Sequence, residues 1–227
     1  MNTKKLLKEW SSELKKKDFR RKHYFAIILL ITAIILMSLA GNYADNINLR
    51  GEEQHDIILN YIKAIDVNTY NIYGFYFVLI LISYIIITRP KTSHLSIKLF
   101  SLLIIVRSLF VFATQLALPN EYIPLHSKSL YIFYFNRDLF FSGHVAIPFM
   151  GFLLCKDKIR YIFLTMSITL AITVLLAHIH YTNDVLGAYF ITFTVYYIGK
   201  NYLNKEFIKK TIYKLGYIKI EWRGIYE

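Results

Sequence analysis

YFAIILLITAIILMSLA, residues 24–40, is a run of 17 positions without a charge. About 17–25 apolar residues, each rising 1.5 Å along a helix, cross the roughly 30 Å hydrocarbon layer of a bilayer. The run therefore reads as a membrane-spanning helix. Similar runs recur at 69–88, 99–118 (interrupted only by Arg107), 139–155, 161–177 and 185–199, the last short but able to borrow residues from His180 onward to give a span at 180–199. The strict apolar–polar alternation of barrel strands is missing. The fold class expected is an all-α integral membrane protein, a six-transmembrane-helix bundle. Its span unit covers 24–199, between basic tails at 1–23 and 200–227.

Composition points the same way. The chain is 56% hydrophobic, against about 45–50% for ordinary soluble domains. A formal charge of +12 would suit nucleic acid if it were spread over one surface. Here it is segregated: 22 of the 27 Lys and Arg fall in the N-terminal tail, 89–98, 156–160 and the stretch from Lys200 onward. Those segments lie on one side of a six-span protein. The positive-inside rule then makes both termini cytoplasmic. The bilayer is the expected partner, and nucleic acid is not.

The single cysteine, Cys155, excludes an internal disulfide and any cysteine-based metal cluster. The first span, with basic residues before it and Ser38-Leu39-Ala40 at its end, has the outline of a signal peptide. Its apolar core exceeds the usual length of about 7–15 residues and five runs follow, so it reads as an uncleaved anchor. The tail before it carries Leu6, Leu7, Trp10 and Leu14 among lysines. It reads equally as an amphipathic helix on anionic lipid or as a solvated topogenic tail. Richness in Ile, Lys, Asn and Tyr, with short loops, suggests a bacterial inner (plasma) membrane.

Ionisable groups in or beside apolar spans are costly and usually functional. Three stand out: His144 in Phe141-Ser142-Gly143-His144, His180 in His178-Ile179-His180-Tyr181, and Asp184. The topology puts all three near the non-cytoplasmic surface. His180 and Asp184 are four apart, on one face if helical, and a carboxylate beside a histidine fixes its tautomer. Ser142 suits a helix cap, and Gly143 allows close backbone approach. Amides at a helix N-terminus favour an anion such as phosphate. Two histidines, an orienting aspartate and an anion cradle are sufficient for phosphoryl transfer.

Asp138-Leu139-Phe140-Phe141-Ser142-Gly143-His144, with His178-Ile179-His180-Tyr181-Thr182-Asn183-Asp184-Val185 and Ala188-Tyr189 downstream, resembles the paired motifs of the type 2 phosphatidic acid phosphatase superfamily. The likeness is greater to its sphingomyelin synthase branch. Arg107 and Leu118-Pro119 are similar to a third stretch of that branch. The pair Arg89-Pro90 lacks the lysine that the phosphatase branch has seven residues earlier, where Ile82 stands here. It also lies on the cytoplasmic side. Val174 stands where that branch has an arginine, and Val145 and Arg137 where a threonine and a glycine are usual.

The resemblance implies that His180 is the nucleophile, that Asp184 orients it, and that His144 protonates the departing lipid oxygen. Ser142, Gly143, Arg107, Arg137, Asp138 and Tyr181 would contact substrate, with Arg107, Arg137 and Lys128 the candidates to neutralise phosphate. The substrate would be a phospholipid or sphingolipid, and neither cofactor nor metal is required. Transfer of a phospho-headgroup between lipids is the expected reaction, with lipid phosphate hydrolysis the alternative. His178 reads as structural. A metal site built from His144, His178, His180 and Asp184 is a competing reading. A scaffold or transporter is the non-enzyme alternative, disfavoured because the spans lack the Gly/Pro breaks expected of a midplane transport site.

Overall fold

The computed structural model describes residues 3–46, 54–114, 116–124, 135 and 137–203. Lys128 and the tail beyond Leu203 lie outside the described residues. Among those described, the chain is all-helical, without strands. The helices are α1 (Thr3–Leu14), α2 (Lys17–Asn46), α3 (Ile57–Tyr61), α4 (Asn68–Thr88), α5 (Pro90–Ala113), α6 (Gly143–Leu154), α7 (Ile159–Leu176) and α8 (Thr182–Leu203). Four of them, α2, α4, α5 and α7, are long and apolar enough to cross a membrane, which makes the chain a membrane-associated protein.

Several boundaries differ from the hydropathy reading. The N-terminal segment is helical: α1 packs on the bundle, with Trp10 Nε1 donating to the Ile87 carbonyl at 2.8 Å. Then α2 begins at Lys17, well before its apolar run. Helix α5 starts at Pro90, since proline suits the first turn and lysines do not oppose helix formation. It stops at Ala113, short of Leu118-Pro119. Helix α6 has only 12 residues, about 18 Å at 1.5 Å per residue, against the 17 expected of that run. Pro148 lies inside it, so one helix does carry the kind of break that the transporter reading requires.

The missing part of the fourth run, Leu139 to Ser142, is irregular backbone buried in protein, with Leu139 at 1% and Phe141 at 0% exposure. Buried backbone polar groups must find partners. Arg107 supplies two of them: Nε donates to the Phe141 carbonyl at 2.8 Å and Nη2 to the Asp138 carbonyl at 3.2 Å. The Ser142 amide finds a third, the Asp184 carbonyl, at 3.2 Å.

Packing follows from small residues. Ala26, Ala33 and Ala40 are buried at intervals of two helical turns along α2, which lets α5 approach closely. The core joins α4, α5, α6, α7 and α8 through Val78, Leu99, Leu103, Val145, Met150, Phe163 and Ala188. The long helices run alternately between two ends. At the basic end, Arg89 holds Asp157 through two 2.9 Å bonds, and Lys91 lies 3.9 Å from Glu9. The opposite end carries the histidine motifs.

Candidate active site

Helix α7 ends in a turn that presents His180. His178 takes a left-handed backbone, φ 51°. Its amide donates to the Leu175 carbonyl at 3.0 Å, and the Ile179 amide donates to Val174 at 3.1 Å. This is the Schellman pattern, which normally uses glycine at the left-handed position. Histidine stands there because its ring is a strut: Nδ1 lies 2.8 Å from the Asn120 carbonyl and Nε2 2.9 Å from the Ile62 carbonyl. His178 is thus structural, and both its nitrogens are occupied.

Two residues on, His180 is 5% exposed and Asp184 fully buried. His180 Nδ1 lies 3.3 Å from Asp184 Oδ2. The same oxygen accepts from the Tyr181 amide at 3.0 Å. Asp184 is the third residue of α8 and reaches back to the residue before the helix, which is the acidic half of a capping box. The four-residue spacing thus brings the two together through a helix start, with His180 ahead of the helix and not on its face. With Nδ1 on the carboxylate, Nε2 is the nitrogen left to meet a substrate.

The second motif arrives at the same place. The Ser142 amide donates to the Asp184 carbonyl, so the N-terminus of α6 abuts the first turn of α8. Ser142 occupies the cap position, yet its hydroxyl makes no cap bond. That Oγ and Asp184 Oδ1 are both buried without a partner. Gly143 makes room for protein: a Cβ there would stand 3.1 Å from Arg107 Nε. His144 is half-buried, its ring 4.7 Å from that of Phe75 on α4.

The remaining candidates serve the frame. Arg107 and Asp138 satisfy each other: Nη1 donates to Oδ2 at 2.8 Å, and Nη2 pairs with Oδ1 at 2.7 Å. Arg107 therefore holds the loop that precedes His144. The Arg137 amide donates to Asp45 at 2.8 Å, which ties that loop to the end of α2. Tyr181, expected at the substrate, is 1% exposed and packs with Leu59 and Leu139. Its hydroxyl donates to the Ala117 carbonyl at 3.0 Å. Among the described residues, no three His, Cys, Asp or Glu side chains are grouped to hold a metal ion.

Two residues at this end escaped the sequence reading. Phe75 carried no signal beyond hydrophobicity. Asp56, just ahead of Ile57-Ile58-Leu59, carried the signature of an N-cap, and it does cap α3, with Oδ1 accepting from the Ile58 and Leu59 amides at 3.0 and 3.2 Å. It also caps α8 from a distance. Oδ2 accepts the Thr182 amide at 2.6 Å, and Oδ1 the Thr182 hydroxyl at 2.9 Å. Burial works against its charge, but the hydrogen bonds from Thr182, Leu59 and Ile58 outweigh it and hold the carboxyl below its ordinary range.

No protein-family model, curated protein or solved structure matches the chain. The site consists of an imidazole oriented by a buried carboxylate, a second imidazole on the first turn of a neighbouring helix, and two buried oxygens without partners between the motifs.

Proposed function

We propose that this chain is a membrane enzyme that moves a phospho-headgroup from one lipid to an alcohol acceptor, as its likeness to the sphingomyelin synthases implies. The observation that carries this reading is the junction of the two motifs. The Ser142 amide on the Asp184 carbonyl brings His144 toward an imidazole whose Nδ1 is held by the same aspartate.

His180 Nε2 attacks phosphorus. The bond from phosphorus to the lipid oxygen breaks, and that oxygen takes a proton from His144. The headgroup is left on His180 as a phosphohistidine. His144, now neutral, removes the proton of the acceptor hydroxyl, whose oxygen attacks phosphorus and frees His180. Asp184 stabilises the positive ring that forms. The amides opening α6 face developing negative charge, and Ser142 Oγ is a donor free to join them. Water in place of the alcohol makes the same site a lipid phosphatase.

In this reading α8, and α6 together with the buried Leu139–Ser142 segment ahead of it, serve as spans beside α2, α4, α5 and α7. The basic end faces the cytoplasm by the positive-inside rule, and the histidines face the other side, in a bacterial inner membrane. The test is purified protein in detergent with headgroup-labelled phospholipid and a lipid alcohol. Labelled headgroup on the second lipid supports transfer, and soluble labelled phosphate or phospho-headgroup supports hydrolysis. His180→Ala abolishes turnover, and His144→Ala lowers it by about 10²–10⁴. Undiminished turnover in both variants, or no turnover of any lipid by wild type, overturns the reading.

A further inference from the structure

A buried lysine at the basic end has no part in that chemistry. Lys98 lies eight residues into α5 and is 8% exposed. Its ammonium stands 4.9 Å from the centre of the Phe25 ring on α2. A buried charge needs a counter-charge. The acid of the neighbouring first turn of α2, Asp18, is already taken: Arg21 holds one oxygen at 3.0 Å and Lys22 the other at 2.6 Å. Among the described residues, no carboxylate lies within ion-pair distance of Lys98.

The neighbourhood adds a donor. His94, one turn before Lys98 on α5, has a buried Nδ1 without a partner. The His23 ring lies 5.4 Å from it, and both nitrogens of His23 are engaged, with the Phe19 carbonyl at 3.0 Å and Ser93 Oγ at 2.8 Å. Beyond the cations, Phe25, Ile28 and Ile35 form an exposed apolar stripe along α2. Cations at the headgroup level above a bare aliphatic ridge match one shape of molecule: an anionic head on acyl chains.

We propose that Lys22, His94 and Lys98 seat the phosphate of an acidic phospholipid in the leaflet at the basic end, with an acyl chain along the Phe25–Ile28–Ile35 stripe. The phosphate supplies the negative charge that Asp18 alone does not. The chains distinguish the lipid from free phosphate, which has nothing to lay on the stripe.

The experiment is native mass spectrometry of the purified full-length protein with phosphatidylglycerol and phosphatidylcholine of matched acyl chains. Wild type is expected to retain phosphatidylglycerol preferentially, against millimolar inorganic phosphate. Lys98→Gln weakens that retention about fivefold, the worth of one cation at an anionic surface, and Lys98→Arg restores it. Lys22→Gln, at a half-exposed site, gives a similar loss and covers the case in which Lys98→Gln fails to fold. Equal retention of the two lipids, or phosphatidylglycerol retention unchanged in Lys98→Gln and Lys22→Gln, overturns the proposal. Displacement by inorganic phosphate overturns the lipid assignment. None of these outcomes depends on headgroup transfer.

Discussion

The amide of Ser142 donates to the carbonyl of Asp184 at 3.2 Å. Through that bond, the irregular segment ahead of α6 is stitched to the first turn of α8. Any change that moves either helix start is therefore felt by both histidines.

Arg107 and Asp138 are the first test of this arrangement. Their side chains are 10% and 15% exposed, and Arg107 also holds the carbonyls of Phe141 and Asp138. Removing one member of a buried pair strands the other and typically costs about 3–5 kcal/mol. Arg107→Ala and Asp138→Ala are each expected to lower the thermal midpoint of the purified protein. The double replacement Arg107→Met/Asp138→Leu is expected to lose less than the sum of the single variants. Single variants that melt with wild type would show that the pair is not structural.

Asp56 gives a pH signature. Hydrogen bonds from Thr182, Leu59 and Ile58 hold its folded carboxyl below the ordinary aspartate range. Its stabilising contribution is therefore fully present above the unfolded value and is lost as pH falls through the folded one. Asp56→Asn keeps one capping oxygen but loses the second acceptor, and is expected to melt below wild type at neutral pH by the equivalent of about 1 kcal/mol for one hydrogen bond. The gap should close in strong acid. A gap independent of pH would mean that the charge of Asp56 is not what α8 uses. Turnover in this variant is expected to fall as well, because Thr182 immediately follows the His180 turn.

His178 separates backbone strain from side-chain bonding. His178→Ala removes two hydrogen bonds and keeps a side chain in the left-handed region. His178→Gly removes the same bonds and relieves the strain, about 1–2 kcal/mol per residue. Thermal unfolding should place both variants below wild type, with the glycine variant above the alanine one. An alanine variant at least as stable as glycine would contradict the left-handed turn.

Orientation is open to labelling, because Cys155 is buried at 2% exposure and gives little background with a membrane-impermeant maleimide. Tyr61→Cys, at an 88% exposed position of the histidine end, is expected to react in intact cells. Lys156→Cys, exposed at the basic end, should react only after permeabilisation. The opposite pattern would place the histidines in the cytoplasm.

Hydropathy, charge and spacing along the chain were enough to tell which segments are apolar enough for a bilayer, which ends carry the positive charge, and that residues 180 and 184 are neighbours. These properties are local: hydropathy sums over a window, and a four-residue spacing holds at a helix start. Folding alone settled that the fourth apolar run opens with four residues of buried loop, Leu139 to Ser142, before its 12-residue helix. The same holds for Arg107, whose partner Asp138 lies 31 positions away, and for Asp56, which caps α8 from 126 positions away. The Ser142 hydroxyl, Tyr181 and Phe75 likewise took their places only on folding. No period or spacing encodes such pairings. They are fixed when helices pack and each buried polar group must take whichever partner the packed chain brings within reach.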